Sequence, residues 1–224
     1  MDKDRLWLRW IAANALGEMF GLGLTFAITA SFFASQGGPQ TVGGILLAFA
    51  VAVVSGAVEA TLVGLVQWFA MHAWFPAVSR LAWWRGTLVG ALIAYVLGYL
   101  PSTLMDLGAG AASASAPAAS EPPQWVTLLL AAGLGLVGGA VLSFAQGLAL
   151  RGRARRVGTW IPANMLAWML GMPIIFWGVD LAFKLPAAWQ SVLLMAAILL
   201  LAGAVVGTVH GWFLKKMLPE GASV

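Results

Sequence analysis

The chain has no cysteine, two histidines, two tyrosines and eight acidic residues among its 224 positions. The missing cysteine excludes disulfides, thiolate zinc sites and cysteine nucleophiles. Charge of either sign is scarce, at 9% of residues against about 25% in an ordinary soluble domain. Eight acids and twelve bases are too few to cover a soluble surface of this size. A soluble globular enzyme, a disordered tail and a nucleic-acid-binding domain are thereby excluded, although the pI is about 10.0. What the chain has instead is apolar mass. It is 61% hydrophobic, with a mean hydropathy of +0.91. That composition belongs to an all-α, multi-pass integral membrane protein.

A spanning helix needs about 20 mostly apolar residues. Six stretches meet that length, at residues 10–33, 42–70, 84–100, 126–150, 161–183 and 191–214. The second is long enough to tilt or to protrude into the interface. All six are expected to be helical, because lipid offers no partner for a free backbone N–H or C=O. None alternates polar and apolar residues as a barrel strand does. The first stretch begins like a signal peptide, with Asp2, Lys3, Asp4, Arg5 and Arg9 before an apolar run. The run is too long for the apolar core of such a peptide, and Glu18 interrupts it.

The bases set the expected orientation. Lys3, Arg5 and Arg9 precede the first span, and Arg80 and Arg85 lie between the second and third. Arg151, Arg153, Arg155 and Arg156 lie between the fourth and fifth, and Lys215 and Lys216 follow the sixth. Eleven of the twelve bases thus fall on one side, leaving Lys184 on the other. Cytoplasmic loops carry the Lys/Arg excess, so both termini are expected in the cytoplasm and the chain in the plasma (inner) membrane. The positive charge is a topology signal and calls for no nucleic acid. Trp7, Trp10, Trp74, Trp83, Trp84, Trp160 and Trp212 are expected as interfacial anchors on the cytoplasmic side, with Trp125 and Trp189 on the outer one. The loop at 101–124 is low in complexity, and its centre at 108–120 has the Ala/Gly/Ser/Pro composition of a mobile linker.

Internal repetition is the most informative pattern. The second span carries Gly56, Ala60, Gly64, Gln67 and His72; the fourth carries Gly135, Gly139, Ser143, Gln146 and Arg151. The sixth carries Gly203, Gly207, His210 and Lys215, with Gly211 continuing the spacing. One polar slot is therefore Gln67, Gln146 and His210. The odd spans match too: Trp10-Ile-Ala-Ala-Asn14 aligns with Trp160-Ile-Pro-Ala-Asn164, and Trp83 opens a weaker copy with Thr87 in place of Asn. Chance similarity among Ala- and Gly-rich helices is the competing explanation; two polar slots recurring in register argue against it. The reading is a single transmembrane domain over residues 1–224, built of tandem helical hairpins at about 8–74, 82–150 and 159–216 with pseudo-threefold symmetry. Small residues four apart lie on one face and let backbones approach closely.

Asn14, Gln67, Gln146, Asn164 and His210 all fall one to two turns from the basic end, and a hydrogen-bonded belt is expected there. Such bonds are worth about 0.6 kcal/mol each, at most about 1.7. Glu18 and Glu59 stand outside the repeat. A charge at the bilayer centre costs roughly 2.5–3.5 kcal/mol, so each carboxyl must be protonated or paired. A proton or cation path through Glu59 and Glu18, with His210 as a titrating partner, competes with a neutral Glu hydrogen-bonded to a neighbouring backbone or to Asn. Asp180 and Lys184, four apart near the outer interface, read as an ion pair.

Enzyme signatures are thin. There is no H-E-x-x-H, no nucleophile elbow and no Gly-rich loop followed by Lys-Ser/Thr. His210 lacks an obvious second axial His for haem, and no cofactor or metal is assigned.

The segments Gly64-Leu-Val-Gln67-Trp68 and Trp160-Ile-Pro-Ala-Asn164-Met-Leu-Ala-Trp168 are similar to an uncharacterised bacterial multi-pass membrane protein family. That family repeats Gln-Trp-x-x-Leu helix ends and Trp-x-x-x-Asn-x-Leu-Gly-Trp helix starts. The resemblance covers most of the chain outside the Ala/Ser/Pro loop. It implies a six-helix fold and assigns no activity. Glu18 stands where the family has Trp, and His210 occupies a Gln slot.

Two functions follow as expectations. The first is a non-catalytic membrane subunit or scaffold that packs against other membrane proteins, pigments or lipids. The second is a small proton- or cation-linked transporter or channel with a path near Glu59. A dry, filled axis marks the first, and a cavity reaching Glu59 marks the second.

Overall fold

The computed structural model describes residues 2–36, 41–111 and 122–218. These form six long helices: α1 (Lys3–Gln36), α2 (Val42–Met71), α3 (Arg80–Ala111), α4 (Gln124–Leu150), α5 (Trp160–Phe183) and α6 (Ala188–Leu214). Short 3-10 turns at Val157–Thr159 and Lys215–Met217 complete the secondary structure, and no strand occurs among the described residues. All six helices are long and apolar enough to cross a membrane. Where the sequence allows, caps mark their ends. Thr41 sits in extended backbone before α2 and accepts the Gly44 N–H at 3.1 Å, satisfying one of the free donors of the first turn.

α1 starts seven residues before the expected span, at Lys3, and the largest difference from the sequence expectation is at the end of the third. The third span does not stop at Leu100: α3 runs through Pro101 to Ala111. Proline removes one N–H from the helical ladder. The Ser102 and Thr103 hydroxyls both turn back to the Tyr99 carbonyl, at 3.0 and 2.8 Å, and the helix continues past the ring. The first part of the expected linker is therefore helical. Its remainder, at 112–121, lies outside the described residues.

The helices form a closed ring in chain order. Each packs against the helices before and after it, and α6 returns to α1. Glycines set the distances. Within the first hairpin a Cβ at Gly21 would lie 3.1 Å from Glu59 Cα; within the second, one at Gly90 would lie 2.8 Å from Leu142 Cα. Between hairpins the even helices carry the small residue. A Cβ at Gly139 would stand 2.5 Å from the Asn164 carbonyl oxygen, and one at Gly203 would stand 2.5 Å from that of Asn14. Gly64 of α2 faces the Thr87 side chain of α3, its Cβ position lying 3.2 Å from Thr87 Cβ. Lipid tails are as apolar as leucine, so this close backbone packing, rather than a hydrophobic drive, brings the helices together. Large apolar side chains such as Leu8, Phe20, Val54, Phe144 and Leu193 point outward from the ring.

The starts of the odd helices and the ends of the even ones share one end of the ring, where the eleven bases collect. This basic end is filled by a core of Leu6, Met71, Phe75, Leu150, Leu214 and their neighbours. At its centre stand Trp10, Trp83 and Trp160.

Candidate functional site

The leading tryptophans of the three odd helices meet inside the ring. Their ring centroids are 6.2 Å apart for Trp10–Trp83 and 6.0 Å for both Trp10–Trp160 and Trp83–Trp160. All three are fully buried, and Trp74 is 3% exposed. The expectation that these four anchor the chain at the lipid interface is corrected: their indoles make the core of the basic end. Indoles are equally suited to a packed centre, where edge-to-face pairs add about 0.5–1.5 kcal/mol each. Trp125, Trp189 and Trp212 are instead exposed on the outside of the ring. Lys216 lies over the Trp212 ring at 3.0 Å, and Arg9 over Trp74 at 5.4 Å.

One turn further in lies the polar tier. The Asn14 amide donates to the Trp10 carbonyl at 2.8 Å, and the Thr87 hydroxyl donates to that of Trp83 at 3.0 Å. Asn164 donates to the Trp160 carbonyl at 2.9 Å. The i−4 spacing produces all three bonds. Gln67 of α2 then donates to Asn14 Oδ1 at 2.9 Å, and Gln146 of α4 donates to Thr87 Oγ1 at 3.0 Å. Gln146 also reaches Gln67 Oε1 at 3.4 Å and accepts the Trp160 indole N–H at 3.0 Å. Asn14, Gln67, Thr87, Gln146 and Trp160 thus form one connected network.

His210 and Asn164 are not joined to each other by a hydrogen bond. His210 is buried with its ring tilted against Trp160, centroid to centroid 5.1 Å. Neither of its ring nitrogens has a hydrogen-bond partner among the described residues, and neither does Asn164 Oδ1 or the Trp10 indole N–H. The tier is continuous through the first two hairpins and open at the third.

Beyond the tier α1 to α5 line a half-open cavity of about 360 Å³. Its walls run from Gly139, Leu142 and Trp168 to Tyr99, Phe176 and Val179. At 1.5 Å per residue, Trp168 and Val179 stand about 12 and 28 Å along α5 from Trp160. The cavity therefore occupies the half of the ring away from the tryptophan core. Glu59 of α2 lies on its wall and is 9% exposed. The Tyr95 hydroxyl of α3 donates to the Glu59 carboxyl. Gly56, one turn before Glu59, makes room: a Cβ there would strike the Tyr95 ring at 2.8 Å. Glu18 of α1 is buried within electrostatic range of Glu59, and its Oε2 has no hydrogen-bond partner among the described residues.

The residues named from sequence therefore divide between two layers. Glu59 lines the cavity with Glu18 beside it, whereas Asn14, Gln67, Gln146, Asn164 and His210 lie in the tier nearer the basic end. His210 is not among the cavity's lining residues. Sequence reasoning missed Tyr95 and Tyr99. Their one signal was scarcity: the chain's two tyrosines stand four apart on one face of α3. Asp180 and Lys184 form the expected ion pair at 2.7 Å, and Gln124 also donates to Asp180 at 3.0 Å. No group of three or more His, Cys, Asp or Glu side chains placed to hold a metal occurs among the described residues. Comparison of the chain with family models, curated proteins and solved structures finds no match.

Proposed function

We propose that this protein is a small proton- or cation-linked transporter of the plasma (inner) membrane, with a path that passes Glu59. The cavity of about 360 Å³ with Glu59 on its wall carries the reading. A bundle made only for packing fills its axis with side chains, and an intramembrane carboxyl beside open space is the usual mark of an ion or substrate pathway. Glu18 extends the acidic character from Glu59 toward the polar tier.

The basic end faces the cytoplasm in this reading, because cytoplasmic ends carry the Lys/Arg excess. Both termini lie there, and the cavity belongs to the outer half. The tryptophan triangle and the polar tier seal the inner side, as in an alternating-access protein at rest with its inner gate closed. We read the ring as three hairpins about a pseudo-threefold axis. Support comes from the near-equal spacing of Trp10, Trp83 and Trp160 and from the matching bonds of Gln67 to Asn14 and Gln146 to Thr87.

A second reading, a non-catalytic subunit that packs against other membrane proteins, pigments or lipids, is favoured by the dense packing of the basic end. Proton and cation flux into proteoliposomes, with Glu59→Gln as the control, tests the two against each other.

A further inference from the structure

The cavity wall has a chemistry that goes beyond the presence of a carboxyl. Five aromatic side chains line it: Phe26, Tyr95, Tyr99, Trp168 and Phe176. They come from α1, α3 and α5, so rings surround the space from several sides. Glu59 is the single acidic residue of the wall, and no Lys, Arg or His is among the lining residues. The remainder is Gly, Ala, Leu, Ile, Val and Met. Aromatic faces present negative charge to a cation held over them. A carboxyl in the same wall adds a counter-charge, while an anion would find no base to meet it. The volume is that of a small-molecule site, which spans about 300–1,000 Å³, and is too large for a bare metal ion. Such an ion would also need more oxygen ligands than one carboxyl and two hydroxyls supply.

We propose that the cavity binds a lipophilic organic cation, with its charge at Glu59 and Tyr95 and its apolar body against Tyr99, Trp168, Phe176 and Phe26. The substrate class is a quaternary or protonated amine, or a phosphonium, carrying aryl or alkyl groups. Glu59 supplies the counter-charge. The Tyr95 hydroxyl holds that carboxyl in place from α3, and the rings take the body of the molecule out of the bilayer. Gly98 and Gly138, whose Cβ positions meet only side-chain ends at 3.8 and 3.7 Å, keep the wall low enough for such a body to enter. The inference rests on the reading of the cavity as a transport path, and it names what that path carries.

Tetraphenylphosphonium and tetraphenylborate are the probes, since they share shape and size and differ in sign. Binding of each to the full-length protein in lipid nanodiscs is measured by equilibrium dialysis, and flux is measured separately in proteoliposomes. The expected result is saturable binding of tetraphenylphosphonium at one site per chain, at least tenfold tighter than tetraphenylborate. Glu59→Gln lowers that affinity at least tenfold. Should Glu59→Gln fail to fold, Gly98→Leu serves instead: a Cβ at Gly98 meets only the ends of Leu134, at 3.8 Å, so a larger side chain fills the cavity and leaves the carboxyl in place. It too lowers the affinity at least tenfold. Equal binding of the two ions, no binding of the cation, or cation binding untouched by both variants overturns the proposal. Binding without flux removes the transport reading and keeps the ligand; ion flux without cation binding does the reverse.

Discussion

The Trp160 indole N–H donates to Gln146 Oε1 at 3.0 Å, tying the start of the third hairpin to the end of the second. Of its two rotated counterparts, Trp83 to Gln67 is not made, the Trp83 indole N–H having no partner among the described residues, and the other would run from Trp10 to position 210, where His210 stands with both ring nitrogens unpartnered. His210→Gln supplies an acceptor for the Trp10 indole and a donor for Asn164 Oδ1. At about 0.6 kcal/mol per bond the gain is about 1 kcal/mol, or a rise in Tm of about 2–4 °C for a chain of this size. Gln146→Leu strands the Trp160 donor and lowers stability by about 1–3 kcal/mol. Thermal unfolding in detergent checks both. A destabilised His210→Gln variant contradicts the rotational relationship of the hairpins.

Gly139 and Gly203 test the close approach between hairpins. A Cβ at either would stand 2.5 Å from a backbone carbonyl oxygen of the next odd helix, which cannot move without shifting the whole helix. Gly139→Ala and Gly203→Ala should each cost about 1–3 kcal/mol by overpacking. Gly133→Ala is the matched control, because nothing lies within 4 Å of its Cβ position and alanine favours a helix over glycine by about 1 kcal/mol. Equal stability of all three variants would place the helices farther apart than described.

The absence of cysteine makes the topology directly measurable. Asp2→Cys, at the basic end, and Asp106→Cys, near the far end of α3, are both solvent-exposed positions. In intact cells a membrane-impermeant maleimide should label Asp106→Cys and leave Asp2→Cys unmodified until the cells are opened. The opposite pattern would invert the orientation and put the cavity on the cytoplasmic side.

Six helices were legible because apolar runs of this length have no other use than to be buried or to face lipid. The polar slots at Gln67 and Gln146 were legible because each follows a stripe of small residues at the same spacing before a basic or His helix end. The role of Trp10, Trp83 and Trp160 was not. A tryptophan at a helix start serves an interface or a core equally well, and only the closing of the ring in space decides between them. Tyr95 escaped for a related reason. Its partner Glu59 lies 36 residues away on the neighbouring helix, a distance no local spacing reveals. The continuation of α3 through Pro101 depended on the Ser102 and Thr103 hydroxyls turning back on Tyr99, a local rescue that a proline-stops-helix reading leaves out. His210 was read as part of a belt from its slot alone, but an imidazole does not reach as a glutamine amide does.

The transport reading is tested most directly by flux. Purified protein reconstituted into liposomes loaded with a pH-sensitive dye, under an imposed potassium diffusion potential, reports proton entry; the same vesicles with labelled organic cation outside report its uptake. Wild-type protein should move protons or the cation at least tenfold faster than empty liposomes, and Glu59→Gln should fall to the empty rate while keeping its thermal stability within a few degrees. Wild-type rates equal to those of empty vesicles under both gradients, or flux unchanged in a well-folded Glu59→Gln protein, would contradict a path past Glu59.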